Sequence, residues 1–169
     1  FEQHYAQIAP ALYAWASLRL PRSMRVGPLD PEDVLQEVWL RALKGLQKYD
    51  PERGSFRVWV LGIARKVLLQ GLDHARRSRI DPVLAGSTTA LERVPDSVTA
   101  VSKRIARDDS MRRFLEYAES LEAADRDILI HCGLEQVPCG EVAVRVGLSP
   151  EATTKRWQRL RSGLRESAW

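Results

Sequence analysis

DPEDVLQEVWLRALKGLQKYDPERGSFRVWVLGIARKVLLQGLDHARRSR, residues 30–79, reads as two consecutive helices with a firm break between them. Asp30 is placed to accept backbone N–H bonds as an N-cap, Pro31 suits the first helical position, and Glu32 and Asp33 sit at the positive end of the helix dipole. Val34, Leu35, Val38, Trp39, Ala42, Leu43 and Leu46 recur at spacings of three and four, which puts them on one side of a 3.6-residue helix. Gln36, Glu37, Arg41 and Lys44 then face outward. Tyr49 to Gly54 is turn chemistry: Pro51 pushes Asp50 out of the helical region, and Gly54 tolerates any φ. Ser55 is placed to cap a second helix that carries Phe56, Trp59, Val60, Ile63, Ala64, Val67, Leu68 and Leu72. That helix runs out into Arg76, Arg77 and Arg79, so an apolar body ends in fixed positive charge.

Working outward, residues 1–20 form a helical stripe with aromatic bulk, including Tyr5, Leu12, Tyr13 and Trp15, expected to pack on the two helices above. Pro21 to Leu29 contains two prolines and a glycine and is expected to be a loop. From Ile80 to Pro95 the period dissolves into prolines and a Gly-Ser-Thr-Thr run, the composition of a tether between domains. Helical periodicity resumes near Val98 and strengthens from Asp109. Further on, Ala123 to His131 is expected to be one helix. Glu141 to Val146 reads as a short helix ended by Gly147, and Ser149-Pro150-Glu151 starts another with the same logic as Asp30. A short helix, a glycine turn and a second helix form the pattern of a helix-turn-helix, and the second helix sets Lys155, Arg156, Arg159, Arg161 and Arg165 mostly away from Thr153, Trp157, Leu160 and Leu164. No strand-like alternation persists, so the expected class is all-α.

The formal net charge of +4 fits an anionic partner, although the placement of the charge says more than its sum. Two cysteines make no disulfide framework, and no uninterrupted apolar stretch reads as a membrane span or a signal peptide, which leads to the expectation of a cytoplasmic location with no membrane insertion. His131, Cys132 and Cys139 lack the paired spacing of a structural zinc site, so no metal is expected and both cysteines read as small hydrophobes. No nucleophile elbow and no phosphate-cradling glycine loop occurs; an enzyme is not expected, nor a cofactor.

Taken together, DPEDVLQEVW, YDPERGSFRVW and LGIAR in the first half, with Leu121 to Ile130, Gly140 to Val146 and LSPEATTKRWQRLRSGL in the second, resemble a bacterial RNA polymerase sigma factor of the extracytoplasmic-function type. This family consists of small sigma-70 relatives that keep the second and fourth conserved regions. The resemblance implies two helical domains, a region 2 bundle over residues 1–79 and a region 4 helix-turn-helix over 98–169, joined by a flexible linker at 80–97. It implies binding of core RNA polymerase through its clamp helices and of promoter DNA at the −10 and −35 elements, with an anti-sigma factor as a possible further partner. The polymerase supplies the chemistry. Since the sequence ends at Trp169, control by an added C-terminal domain is not expected.

By position, the resemblance assigns Asp33, Gln36, Glu37, Leu40 and Arg41 to the polymerase clamp. It assigns Arg57, Lys66, Gln70, His74, Arg76, Arg77 and Arg79 to the −10 element. Lys66 stands where the family often has Asn, Gln70 where Asp is frequent, and Asp73-His74 interrupts a commonly arginine-rich run. Phe56 and Trp59 are expected in the core because Val60, Ile63 and Val67 surround them. For the −35 element the candidates are Ser149, Thr153, Thr154, Lys155, Arg156, Gln158, Arg159 and Arg161, with Arg156 and Arg159 as base readers because Arg matches guanine O6 and N7 in the major groove. Two other readings fit parts of the pattern: a helix-turn-helix regulator that works without polymerase, and a helical adaptor that binds only proteins.

Overall fold

The computed structural model describes residues 1–21, 29–80 and 96–166, the side chains of 78–80, 96–98 and 166 excepted. Helix is the only regular secondary structure among these residues, with no strand among them, and the chain divides into two compact units, Phe1–Ala106 and Arg107–Trp169.

The first unit is built on α1 (Glu2–Arg19), α2 (Pro31–Gly45), α3 (Phe56–Ile80) and α4 (Asp96–Ala106). Asp30 caps α2 as its residue type requires, its Oδ1 accepting from the Glu32 amide at 2.6 Å. The device recurs at Asp50, whose Oδ1 accepts from the Glu52 amide at 3.0 Å just before the single turn Pro51–Arg53. Gly54 then adopts φ 154°, a backbone state that L side chains rarely take, and Ser55 Oγ accepts from the Val58 amide at 3.4 Å to open α3. The core gathers Tyr5, Leu12 and Trp15 from α1, Val34, Leu35, Val38 and Trp39 from α2, and Val60, Ala64 and Val67 from α3, all buried. Tyr5 ties α1 to α2 by donating its hydroxyl to the Leu35 carbonyl at 2.6 Å. Leu43, expected on the apolar stripe of α2, is 43% exposed, because that stripe narrows as α2 reaches its end.

Residues 98–106, expected in the second domain, instead lie on α4, which packs against α1 and α2 of the first unit with Ser102 and Ile105 buried. The break falls later, at Arg107, where Asp108 accepts from the Ser110 and Met111 amides at 2.8 and 3.1 Å and starts a new helix. The expected loop at Pro21–Leu29 falls largely outside the described residues, as do residues 81–95 of the linker expected over 80–97; of that linker, Ile80 ends α3 and residues 96 and 97 begin α4.

The second unit comprises α5 (Asp109–Ser120), α6 (Ala123–Ile128), a π-helical segment Leu129–Leu134, α7 (Cys139–Val146) and α8 (Pro150–Glu166). The single helix expected over Ala123–His131 is therefore divided: the wider π turn takes over at Leu129 and lets Leu129, Ile130, Cys132 and Leu134 all turn inward. Gly147 ends α7 at φ 67°, with its own amide and that of Leu148 both returning to the Ala143 carbonyl.

Candidate functional site

On α2 the five residues assigned to the clamp come together. Asp33, Gln36, Glu37, Leu40 and Arg41 stand three or four positions apart on the side away from Val34, Leu35, Val38 and Ala42, and each retains some exposure. Arg41 Nε donates to Glu37 Oε1 at 2.6 Å, with both side chains about two-fifths exposed at 38% and 41%. Asp33 titrates above the usual carboxylate range because local burial disfavours its charge, and the neighbouring Asp30 adds to the effect.

The −10 candidates on α3 fall into two groups. At 100° per residue Lys66, Gln70, His74 and Arg77 share one side of the helix with Asp73, and all are exposed; Arg77 donates to Asp73 Oδ2 at 3.1 Å. Arg76 is also exposed, along a neighbouring strip with Arg65. Arg57, nine positions before Lys66, lies half a turn round and is half-buried, its guanidinium lowered from the usual arginine value by desolvation. The structure thus separates Arg57 from the others. The side chain of Arg79 lies outside the described residues. Sequence reading missed Leu69, which is 65% exposed amid Lys66, Gln70 and Asp73, and Val58, 50% exposed further back along the helix. The signal for Leu69 was the run Val67-Leu68-Leu69, which at 100° per residue spans too much of the helix for one face to bury all three.

Phe56 and Trp59 are half-buried and belong to an aromatic cluster. Tyr49 lies 5.6 Å from Phe56 and 5.3 Å from Trp59 between ring centroids, and Phe1 meets Phe56 edge-on at 5.8 Å. Both were expected in the core, and they pack at its edge: the cluster forms where the Tyr49 turn folds against α3.

In the second unit, α7 and α8 are joined by the Gly147 turn. Ser149 Oγ accepts from the Ala152 amide at 3.2 Å and so serves as the cap of α8. Thr153 is fully buried with its hydroxyl donating to the Ser149 carbonyl at 3.0 Å, which removes it from the DNA candidates. Arg156, the expected base reader, is also turned inward. Its Nη1 meets Asp125 Oδ1 of α6 at 2.9 Å, and the two side chains are only 32% and 18% exposed. Lys155, Gln158 and Arg159 remain together on the exposed face. Thr154 is exposed but returns its hydroxyl to the Pro150 carbonyl at 2.8 Å, and Arg161 lies over the Trp157 ring at 5.8 Å. A residue that sequence reading overlooked is Arg126, which donates to the carbonyls of Ala118, Glu119 and Leu121 and closes the end of α5.

Among the described residues no cluster of three or more His, Cys, Asp or Glu is arranged to hold a metal ion, and no helix is long and apolar enough to cross a membrane. Exposed polar residues line one face each of α2, α3 and α8. Residues 4–79, essentially α1 to α3, match the family model described as sigma-70 region 2. No curated protein and no solved structure matches the chain.

Proposed function

We propose that the chain is a sigma factor of the extracytoplasmic-function type, which binds core RNA polymerase and directs initiation at a subset of promoters. The observation that carries the reading is the coincidence of the sigma-70 region 2 match over residues 4–79 with a bundle whose α2 and α3 each bear a continuous polar face. In this account Asp33, Gln36, Glu37, Leu40 and Arg41 dock on the clamp helices. An exposed helix face mixing acids, an amide and a leucine suits a protein partner. Lys66, Gln70, His74, Arg76 and Arg77 address the −10 element, with Leu69 offering an apolar contact to an unstacked base. Unit two acts as region 4, a helix-turn-helix in which Lys155, Gln158 and Arg159 reach the −35 element and Ser149, Thr154 and Arg161 contact phosphate.

The physical logic is a division of labour. Cationic side chains on both units release counterions from the duplex and supply affinity without sequence preference, so binding falls steeply with salt. A few base contacts then discriminate, and an anti-sigma factor covering the same faces would silence both. Run-off transcription with purified core polymerase on a library of promoter variants tests the reading. Transcripts that depend on the added chain and on two separated promoter elements are expected. Output that is the same with and without the chain, across the library, contradicts it.

A further inference from the structure

Cys132 and Cys139 are seven residues apart, on opposite sides of a reversal that brings their sulfurs to 3.5 Å. The reversal is firmly held. The Glu135 amide donates to the Ile130 carbonyl and the Val137 amide to the His131 carbonyl, each at 2.9 Å, while Gln136 takes the left-handed state at φ 58°. Cys132 sits in the π-helical segment and is buried; Cys139 is the first residue of α7 and is half-exposed. A disulfide needs its sulfurs at about 2.0 Å, a closure of roughly 1.5 Å from the thiol contact. Nothing in a simple packing role requires two thiols to face each other.

We propose that Cys132 and Cys139 form a reversible dithiol–disulfide site, closed by hydrogen peroxide and reopened by a thiol. Their unequal exposure sets the order of events. Cys139, reachable from solvent, attacks the peroxide as its thiolate: an S–O bond forms, the O–O bond breaks and hydroxide leaves, giving a sulfenic acid. Burial, together with the hydrogen bond to Cys139 and the charge on that neighbour, pushes the Cys132 thiol well above the usual value, so it stays protonated and does not compete for the oxidant. The Cys132 sulfur then attacks the Cys139 sulfur; the S–S bond forms, the S–O bond breaks, and the Cys132 proton leaves with that oxygen as water. Two thiols and one peroxide thus give one disulfide and two waters. Reduction by two equivalents of thiol restores the starting state. The new bond staples the π segment to the start of α7, so its effects on structure are confined to the second unit.

The test uses the purified full chain, hydrogen peroxide and dithiothreitol. Expected are the loss of both titratable thiols, an intramolecular Cys132–Cys139 peptide cross-link by mass spectrometry, and recovery on reduction. Amide shifts should concentrate in residues 129–147. In Cys132→Ser the Cys139 sulfenic acid loses its resolving partner, so dimedone labelling rises about tenfold over the unaltered chain. Cys132→Ala gives a second measure if serine disturbs the buried position, and Cys139→Ser leaves a thiol that reacts slowly. Two free thiols after a peroxide dose that oxidises a glutathione control would overturn the proposal, and so would a cross-link found only between chains.

Discussion

Arg41 on α2 reaches across to α3, where its Nη1 donates to Gln70 Oε1 at 2.6 Å while its Nε is held by Glu37. One guanidinium therefore joins a residue of the proposed polymerase face to a residue of the proposed −10 face. Both ends are exposed, so the bond fixes orientation more than it stabilises. A double-mutant cycle on Arg41→Ala and Gln70→Ala, read by chemical denaturation, should give a coupling of about 0.2 to 1 kcal/mol.

Gly71 is a point of close approach between α3 and Leu29, two residues before α2 begins. A Cβ there would come within 2.4 Å of Leu29 Cδ1, and Leu29 is buried. Alanine favours a helix over glycine by roughly 0.5 to 1 kcal/mol. The contact is with the far end of the Leu29 side chain, which can shift, so the clash and the helix gain nearly offset and Gly71→Ala should change the stability of the first unit by no more than about 1 kcal/mol. Combined with Leu29→Ala it should cost less than the sum of the two, as measured by thermal unfolding.

Arg126 holds the end of α5 through three carbonyls, a cap made by a side chain of the next helix. Removing it leaves partly buried acceptors without their charged donor. Arg126→Ala should lower the stability of the second unit by about 1 to 3 kcal/mol, with Arg126→Lys recovering only part because an ammonium cannot span all three acceptors. Urea unfolding followed by circular dichroism gives the number.

Tyr5 supplies a pH signature. Its burial raises the phenol above the ordinary tyrosine value of about 10, so the folded chain keeps this proton after the unfolded chain has lost it. The contribution to stability is fully present below about pH 10 and declines as pH rises past it. Tyr5→Phe should cost about 0.5 to 1.5 kcal/mol at neutral pH through the lost bond to Leu35, and its stability should fall less steeply between pH 10 and 11. Denaturant midpoints for both chains across that range decide it.

The ion pair between Arg156 and Asp125 redirects the reading of α8. Arg159→Ala should cost about 1 to 3 kcal/mol of discrimination between intact and altered −35 elements. Arg156→Ala should lower the stability of the second unit instead, and Asp125→Ala should do the same. Transcription from paired promoters beside thermal unfolding separates the two effects.

Much of this was legible before any coordinates. Asp30 and Ser55 declared the helix starts because short polar side chains bond local amides wherever they fall, and Gly147 declared a stop because it alone pays no Cβ penalty at positive φ. The apolar periods of α1 to α3 did the rest. What stayed hidden depended on partners distant in sequence. Arg156 and Arg159 are both arginines on one helix, and only Asp125, 31 positions earlier, draws the first inward. Arg57 and Lys66 look alike in a list of cations until the helical rotation between them is counted. The place of α4 was missed because its period is short, and its neighbours α1 and α2 lie far back in the chain.

The proposed function stands or falls with the grip of the α2 face on the polymerase. The most direct measurement is co-elution of the full chain with purified core RNA polymerase at modest ionic strength, alongside the Glu37→Lys and Gln36→Ala variants. The account predicts a stable complex that Glu37→Lys weakens at least severalfold while leaving the helical content unchanged. A folded chain that does not associate with the core enzyme under those conditions contradicts it, and so does undiminished binding in both variants.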